Sequence, residues 1–392
     1  MSPLSITILI ICAFALILYL ALMLYLYLGW MKLMSARNHS EVRTAPPYVS
    51  VIIPFRNEEK VIPALLNALN AQTLSRDCFE LIMVDDGSAD QGTQMIQTFA
   101  AENPDISITL LRLGEGEGSK KDALAAGIRQ AGGQLIVCTD ADVIPSKEWL
   151  NTIRLHFMRT GSVLILGPVR IGYGNRLFEK LQALEFLSLM ASTAASVGNR
   201  HPIMANGANL AFIREAWISS RQNRTGKEYV SGDDVFMLFS VMQNNGPSAV
   251  TFVTNPSAMV STHPSDSLSE FIQQRFRWVS KAPGYRDAAV MVTALIVLFY
   301  NFILLISPLA ALAHPALLIL LPLLWLMKCL GDYPLMRKAS HYAGCRPLMR
   351  LFLLMELIYP FYVVWMSLGG LTGGFRWKER KYKNARSSGF EQ

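Results

Sequence analysis

The sequence is poor in cysteine, and its cysteines have no spacing that would pair them. Five cysteines occur in 392 residues, and no two of them form a C-x-x-C pair. Scattered cysteines of this kind are typical of reduced proteins and favour neither a disulfide framework nor a structural zinc site. We therefore expect packing roles for all five: Cys12, Cys78, Cys138, Cys329 and Cys345.

Charge is absent from a long stretch near the N-terminus. Between Ile6 and Trp30 the chain has no Asp, Glu, Lys or Arg, and a helix of this length crosses the hydrocarbon core of a bilayer, which is about 30 Å thick. A cleaved signal peptide is the alternative, but the run is too long and no basic segment precedes it. The positive-inside rule then places the following chain in the cytoplasm, because basic residues come next: Lys32, Arg37 and Arg43.

The basic residues form no stripe interleaved with aromatic residues, which is the pattern typical of nucleic-acid binding. The net charge is +7, and loops that face anionic lipid account for an excess of this size. We therefore expect a membrane partner and no nucleic acid. The composition says nothing about protein partners.

Strand-like and helix-like segments alternate in the less apolar middle of the chain. Short runs rich in β-branched residues predict strands at 48–54, 106–113 and 134–143, and the segment 81–88 predicts a strand followed by an acidic turn. Helical patterns lie between them. This order is typical of an α/β domain with a mostly parallel sheet. Ligands of such sheets bind where the strands end at their carboxyl side.

Acidic residues stand at the predicted strand ends. Glu58 follows the first strand, Asp85 and Asp86 end the second, and Asp140 and Asp142 form a D-x-D at the end of the fourth. Clustered carboxylates are costly unless they meet a cation or hydrogen-bond donors. If strand alternation sends both D-x-D carboxylates the same way, they could share one Mg²⁺ or Mn²⁺ ion. A solvated loop or a helix cap is the alternative for an isolated D-x-D.

The glycine-rich segment GEGEG at 114–118 does not match a dinucleotide fingerprint. Its glutamates would repel a pyrophosphate, and it does not follow the first strand. A flexible acidic loop is the better interpretation. Lys120, which opens the next helix, could still reach a phosphate.

Two further segments carry polar residues that could take part in catalysis or ligand binding. SGDD at 231–234 precedes the apolar run VFML, so it suits a helix N-cap as well as a catalytic carboxylate. QQRFRW at 273–278 comes shortly before the C-terminal apolar block, and on a helix Gln274, Arg277 and Trp278 share one face. An interfacial belt of Trp and Arg is the alternative for this segment.

The C-terminal block, residues 285–375, is apolar in three stretches: 288–312, 315–330 and 351–371. Glu356 and Pro360 interrupt the last of them. If all three stretches crossed the membrane, the basic tail 376–392 would lie outside, against the positive-inside rule. A re-entrant or interfacial last stretch is therefore an open alternative.

The ordered motifs resemble those of family 2 glycosyltransferases. VSVIIPFRNEE, VDDGS, SKKDAL, TDADV, GDDVFM and Q-x-x-R-W occur in the family's order and spacing over about residues 48–281. The likeness is to the membrane-bound branch that includes polysaccharide synthases and ceramide or carotenoid glycosyltransferases. It implies a GT-A-type nucleotide-sugar-binding domain with N- and C-terminal transmembrane helices.

The resemblance also implies how the donor is held. Asp86, with Asp85, would contact the nucleoside of a nucleoside diphosphate sugar, for which UDP is the expected carrier. Glu58 would lie near the nucleoside, and Lys120 near the base or the diphosphate. Asp142 would bind Mg²⁺ or Mn²⁺, with Asp140 beside it toward the ribose or the sugar.

For catalysis, the resemblance aligns Asp234 with the family's base, whereas Asp233 replaces a glutamate in the family's motif. The base would remove the proton of an acceptor hydroxyl as that oxygen attacks the anomeric carbon. Arg277 would pair with the leaving diphosphate. Gln274 belongs to the same motif, and Trp278 would offer a flat surface for the acceptor.

The leading hypothesis is an inverting glycosyltransferase that transfers one sugar to a lipid or other membrane-held acceptor. A processive polysaccharide synthase is the second hypothesis, and an inactive sugar-binding subunit of a membrane complex is the third. The predicted organisation is an anchor (1–31), a cytoplasmic GT-A domain (45–284), C-terminal membrane helices (285–375) and a basic tail (376–392). A multi-pass protein of the cell's inner membrane is expected.

Overall fold

The structure is a computed structural model of the chain. It describes residues 3–36, 42, 44–114, 119–222, 232–285, 287–313, 320–372, 374–377 and 380–382. Most of the predicted glycine loop, Ser231 of the SGDD segment, residues 314–319 where the second apolar stretch begins and most of the basic tail lie outside these residues.

The chain folds into two compact units, and each contains segments that are distant in sequence. The sheet unit comprises Met34–Gly172 and Met204–Pro264. The helical unit comprises Met1–Leu33, Tyr173–Ile203 and Ser265–Gln392. The predicted boundary at 45–284 differs from this division, because residues 173–203 and the Q-x-x-R-W segment belong to the helical unit.

A seven-stranded sheet forms the centre of the sheet unit. Its strands are ordered β3-β2-β1-β4-β8-β6-β9, and β8 is antiparallel to both of its neighbours while the other four pairings are parallel. The predicted α/β fold with a mostly parallel sheet is thus confirmed. The strands are β1 Val49–Phe55, β2 Phe79–Asp85, β3 Ser107–Arg112, β4 Leu135–Cys138, β6 Leu164–Leu166, β8 Leu210–Ile213 and β9 Val250–Phe252.

The central strands β1 and β4 are buried along their whole length because both faces of the sheet are covered. Every residue of β1 is buried, as is typical of parallel strands between helices. The helices of this unit are α2 Ile62–Asn70, α3 Gly92–Glu102, α4 Lys120–Gln130, α5 Trp149–Thr160, α7 Arg214–Gln222 and α8 Asp233–Asn245. This layering brings the C-terminal ends of β1, β2 and β4 to one edge of the sheet.

The predicted fourth strand, 134–143, is wrong in extent. It consists of β4, which ends at Cys138, and a separate strand β5, Val143–Pro145, with a turn between them. β5 belongs to a second sheet, in the order β5-β10-β7, with β7 at Val169–Ile171 and β10 at Val260–Thr262. The D-x-D aspartates therefore lie in a turn, and strand alternation does not orient their carboxylates.

The helical unit consists mainly of α-helices. They are α1 Pro3–Ser35, α6 Leu177–Gly198, α9 Leu268–Val279, α10 Ala288–Ala313, α11 Leu320–Tyr342 and α12 Phe352–Thr372, followed by a short β11–β12 hairpin, Phe375–Trp377 and Arg380–Tyr382. Among the described residues, three segments are long and apolar enough to cross a membrane: Pro3–Ser35, Ala288–Leu309 and Arg346–Leu371. These segments indicate that the chain is a membrane protein.

The helix α11 is longer than the predicted stretch 315–330 and reaches Tyr342, with Pro334 inside it. It continues because its C-terminal half still buries Leu335, Met336 and Ala339. It is not one of the three candidate spans found among the described helices, and four charged residues lie along it: Lys328, Asp332, Arg337 and Lys338.

A buried charged cluster links three helices of this unit. Lys328 of α11 has no exposed surface and pairs with Asp332 at 2.8 Å and with Glu356 of α12. Tyr19 of α1 donates its hydroxyl hydrogen to Asp332, 2.8 Å away. Each charge has a partner of opposite sign, which is the condition for burying charges in an apolar environment.

All five cysteines are free. Cys12, Cys138 and Cys345 are buried, and the other two are partly buried.

Candidate active site

The loops after β1 and β2 are tied together by short hydrogen bonds. Asn57, which has a positive φ of 51°, accepts a hydrogen bond from the backbone of Ala89 at 2.9 Å. Its own N–H donates to the hydroxyl of Ser88 at 3.1 Å. Arg56 Nη1 donates to the carbonyl oxygen of Asp86 at 2.9 Å. These bonds fix the edge of the sheet where a ligand of an α/β sheet binds.

The two aspartates at the end of β2 have different surroundings. Asp85 is fully buried, and its carboxylate accepts hydrogen bonds from Ser88 N at 2.7 Å and from Thr93 Oγ1 at 3.1 Å. Arg112 Nε lies 3.4 Å from the same carboxylate. Asp85 therefore shapes the loop through contacts within the protein. Asp86 is also buried, and Glu58 is half-buried in the loop after β1.

The D-x-D turn holds two carboxylates with different partners. Lys120 Nζ at the start of α4 pairs with Asp140, while the hydroxyl of Thr262 on β10 donates to Asp142 Oδ2 at 3.1 Å. Burial raises the pKa of the Asp142 carboxyl, and the neighbouring Asp140 carboxylate raises it further. Both effects disfavour a bare carboxylate at this position, and a bound cation would offset them.

The second acidic motif opens α8. Gly232 is the N-cap, with a φ of 103° and no side-chain cap, so neither aspartate occupies the capping position that the alternative interpretation gave them. Asp233 Oδ1 lies 3.6 Å from Lys121 Nζ. Asp234 Oδ2 accepts a hydrogen bond from Gly207 N at 3.1 Å, and its Oδ1 accepts one from Val235 N at 2.9 Å.

Consecutive lysines at the start of α4 thus connect the two acidic motifs. Lys120 pairs with the D-x-D turn, and Lys121 pairs with the first residue of α8. Among these six side chains, the carboxylates of Asp140, Asp142, Asp233 and Asp234 outnumber the two lysines. The edge of the sheet carries an excess of negative charge, and a negatively charged diphosphate would bind there only with an added cation.

The donor set suits a hard divalent ion that the protein holds only in part. Asp142 and Asp140 supply carboxylate oxygens, which are the ligands that Mg²⁺ and Mn²⁺ prefer. Within the described part of the chain, no group of three or more His, Cys, Asp or Glu side chains could enclose a metal by itself. Two carboxylates are sufficient where substrate phosphates and water complete the coordination.

The turn Asn206–Asn209 makes two kinds of contact: one residue holds the turn in place, and another contacts a predicted site aspartate. Asn209 is buried, accepts a hydrogen bond from Trp149 Nε1 at 3.0 Å and donates to Pro168 O and Ala258 O. These contacts hold the turn against its neighbours. Gly207 is then left with its backbone N–H directed at Asp234.

The Q-x-x-R-W residues lie on α9 in the helical unit. Gln274, Arg277 and Trp278 are all half-buried. Arg275, inside the motif, is 2% exposed and pairs with Glu185 Oε2 at 2.6 Å. Its Nη1 donates to Gln274 Oε1, and its guanidinium lies 4.2 Å from the ring centroid of Trp278.

Comparison with known proteins identifies the family. The model described as "Glycosyl transferase family 2" matches residues 50–218, and that described as "Glycosyl transferase family group 2" matches residues 135–373. The chain is a family 2 glycosyltransferase by sequence.

This glycosyltransferase matches different fractions of the length of its relatives. It is 34% identical over 154 residues to an undecaprenyl-phosphate 4-deoxy-4-formamido-L-arabinose transferase of Yersinia pestis, covering 38% of this chain and 46% of that protein. It thus spans about half the length of that relative. It is 26% identical over 231 residues to glycosyltransferase AglE of Haloferax volcanii, covering 59% of this chain and 71% of that protein.

A solved structure shares the fold. It is the mannosyltransferase PcManGT of Pyrobaculum calidifontis, determined in complex with GDP-Man and Mn²⁺. The TM-score is 0.58 at 21% identity, over 90% of this chain and 99% of that one. The likeness supports the GT-A-type fold of this glycosyltransferase.

The structure adds residues that the sequence did not single out in this glycosyltransferase. Lys121 and Thr262 each contact a predicted site aspartate. Arg275 contacts two Q-x-x-R-W residues, and Glu185 holds it from α6. Of these residues, only Lys121 could have been identified from the sequence, because it directly follows Lys120 at the start of a predicted helix. The others depend on contacts between distant segments.

Proposed function

We propose that this chain is an inverting glycosyltransferase that moves a sugar from a nucleoside diphosphate sugar to a hydroxyl of a lipid or other membrane-held acceptor. One observation carries the proposal: Lys120 and Lys121, adjacent on α4, pair with Asp140 and Asp233 of two acidic motifs that are far apart in sequence. The cluster offers carboxylates for a metal, lysines for a diphosphate and a carboxylate for a proton. Membership of the family supports the same reaction.

The donor would bind at the C-terminal edge of the parallel strands. Asp86 and Glu58 would contact the nucleoside, whereas Asp85, whose carboxylate is engaged by Ser88 and Thr93, would keep the loop in shape. Lys120 would turn from Asp140 to the diphosphate. UDP is our first candidate for the nucleotide.

Asp142 and Asp140 would hold Mg²⁺ or Mn²⁺ beside the diphosphate. When bound, the ion would offset the negative charge that gathers on the leaving group. Thr262 orients Asp142 by donating a hydrogen bond to Oδ2.

In the transfer step, the acceptor oxygen would attack the anomeric carbon from the face opposite the diphosphate. The new carbon–oxygen bond forms as the bond to the diphosphate breaks, the bonding electron pair leaves with the diphosphate, and the configuration is inverted. Asp234 would take the proton of the acceptor hydroxyl, and the bonds from Gly207 and Val235 hold its carboxylate in place. Arg277 would stabilise the diphosphate as it leaves.

An acceptor held at the membrane fits the composition of the same chain. Three described segments are candidate spans, and the Yersinia relative is named for a polyprenyl phosphate. We propose an inner-membrane location with the sheet unit in the cytoplasm, because the basic residue Lys32 follows the uncharged run Ile6–Trp30. Protease added to intact cells should then spare residues 45–264, and cleavage there would refute this orientation.

The test is a transfer assay on membranes that contain the protein. Membranes would be incubated with a panel of labelled nucleotide sugars, and lipid extract would be separated from insoluble polymer. Membranes with Asp234→Asn give the background. Label in a single-sugar lipid supports the proposal, whereas label in polymer favours a processive synthase. No incorporation above background from any donor, with or without added polyprenyl phosphate, would contradict it.

A further inference from the structure

A buried ion pair joins the Q-x-x-R-W segment to α6. Arg275 of α9 and Glu185 of α6 are 2% and 3% exposed. Arg275 Nη2 lies 2.6 Å from Glu185 Oε2, and Arg275 Nε lies 3.3 Å from Oε1. Two parallel contacts of this kind fix the plane of a guanidinium group as well as its position.

A tyrosine of α12 completes the arrangement. The hydroxyl of Tyr362 donates to Glu185 Oε1 at 2.7 Å and accepts from Arg275 Nε at 3.2 Å. The three side chains therefore satisfy one another and tie together α6, α9 and α12. We refer to Glu185, Arg275 and Tyr362 as the clamp.

The clamp reaches two residues of the motif through Arg275. Its Nη1 donates to Gln274 Oε1, and its guanidinium lies 4.2 Å from the ring centroid of Trp278. The ring centroid of Phe271 lies 4.4 Å from the same guanidinium. Trp278 therefore has its ring fixed against a charged plane.

The hydrogen bond to Gln274 determines what that side chain can offer a ligand. Because its carbonyl oxygen accepts from Arg275, the amide group is oriented with its nitrogen away from the guanidinium. Gln274 is half-buried, and its two N–H hydrogens are donors. A donor pair suits an oxygen-rich ligand such as a phosphate or a sugar hydroxyl.

Stability alone gives little reason for such a cluster. Removing two charges from water is costly, and replacing a buried ion pair with apolar side chains of similar size is often neutral or stabilising. The geometry of the clamp instead fixes the orientation of neighbouring polar groups. Residues that act in this way serve specificity rather than the free energy of unfolding.

We propose that Glu185, Arg275 and Tyr362 are positioning residues that hold Gln274 as a hydrogen-bond donor, and Trp278 as a fixed flat surface, toward an oxygen-rich part of the substrate. The proposal rests on the proposed glycosyl transfer, and it concerns residues that touch the substrate only through Gln274 and Trp278. It predicts that substrate use depends on the clamp while the folding of the helical unit does not.

Gln274→Glu is the sharpest variant. A carboxylate at this position still accepts from Arg275, so the clamp and the thermal unfolding temperature should be preserved. It has no N–H donors, so kcat/KM should fall by about 10- to 100-fold. Gln274→Asn, which keeps the amide but is one methylene shorter, should recover part of that loss.

The clamp itself is tested by two changes of different size. Tyr362→Phe removes one hydroxyl and should lower kcat/KM up to about tenfold with little change in unfolding temperature. Arg275→Met with Glu185→Leu replaces the ion pair by apolar side chains, and transfer should be lost although the protein still folds. The matched control is Lys328→Met with Asp332→Asn and Glu356→Leu, which removes another buried charged cluster of the helical unit without leaving an unpaired carboxylate and should keep wild-type kinetics.

A readout without turnover separates this proposal from the proposed function. The tryptophan fluorescence of each variant is measured with and without the additional substitution Trp278→Phe. The difference between the two signals is the emission of Trp278. Loss of the Arg275 guanidinium should change this difference, and the Lys328 control should not. If the wild type transfers no sugar while Trp278 fluorescence responds to Arg275, only the proposed function fails. If the apolar pair, Tyr362→Phe and Gln274→Glu all keep wild-type kcat/KM, the clamp is structural and the inference is overturned.

Discussion

The backbone N–H of Gly207 donates a hydrogen bond to Asp234 Oδ2 across 3.1 Å. The two residues belong to a turn before β8 and to the start of α8, which are 27 positions apart in the chain. The bond holds one carboxylate oxygen, and Val235 N holds the other. A side chain fixed in this way suits proton transfer, because a general base must be held at a defined position relative to its substrate.

Asp234→Asn should separate proton transfer from donor binding. Asparagine keeps the size of the side chain and an oxygen for Gly207, but it cannot take the proton of the acceptor hydroxyl. We expect a loss of about 10²- to 10⁴-fold in transfer rate, with near-normal calorimetric binding of the nucleoside diphosphate. Asp233→Asn is the matched control and should be milder, since Asp233 contacts Lys121. An inactive Asp233→Asn beside an active Asp234→Asn would move the base by one residue.

Asp142→Asn should abolish sugar transfer because it weakens the binding of the metal ion. Activity is expected to require Mg²⁺ or Mn²⁺, to stop in EDTA and to be abolished by this substitution, because a neutral amide is a poor ligand for a hard divalent ion. Calorimetric binding of Mn²⁺ with nucleoside diphosphate present should weaken in parallel. Full turnover in excess EDTA would contradict the assignment.

Gly198→Ala should destabilise the packing of α6 on α1. A Cβ at this position would lie 2.0 Å from the backbone oxygen of Gly29, which cannot move as a flexible side chain can. We expect a lower unfolding temperature in detergent and a cost of about 1–3 kcal/mol. Gly174→Ala is the control, because its Cβ would meet only the end of the Glu179 side chain at 2.9 Å. Equal unfolding temperatures for the two variants would argue against a tight crossing.

Stability should fall below neutral pH partly because of His156. Burial, and to a smaller extent the charge of Arg159, lower its pKa from 6.5 to about 4. Its Nε2 lies 2.9 Å from Thr251 Oγ1. As the pH falls through this interval, the unfolded chain takes up the proton first. The free energy of unfolding therefore decreases between these two pH values and is constant above the higher one.

His156→Gln provides the comparison, because glutamine can still hydrogen-bond to Thr251 but does not titrate. Unfolding temperatures would be measured at pH 7.5 and pH 5.0 for both proteins. The decrease should be larger for the wild type than for the variant, since each unit of pKa difference corresponds to roughly 1.4 kcal/mol. Parallel decreases would show that His156 does not contribute.

The strand order along the chain and the acidic strand ends were predictable, because they depend on local patterns. An apolar β-branched run followed by Asp or Glu is visible in β1, β2 and β4 without any knowledge of their neighbours. The long uncharged run near the N-terminus was equally clear. The extent of the fourth strand was wrong, since the turn at Asp140 and the pairing of β5 with β10 depend on another part of the chain.

The sequence by itself determined the family, the α/β order and which segments carry chemistry. Only the tertiary structure decided what individual side chains contact. Asp85 and Asp86 are adjacent in sequence, yet Asp85 is engaged by Ser88 and Thr93. In QQRFRW the sequence pointed to Arg277, whereas the buried arginine is Arg275, whose partner Glu185 is 90 positions away. The physical reason is that burial and hydrogen bonding are set by long-range packing, and no local pattern specifies which distant carboxylate will meet a given arginine.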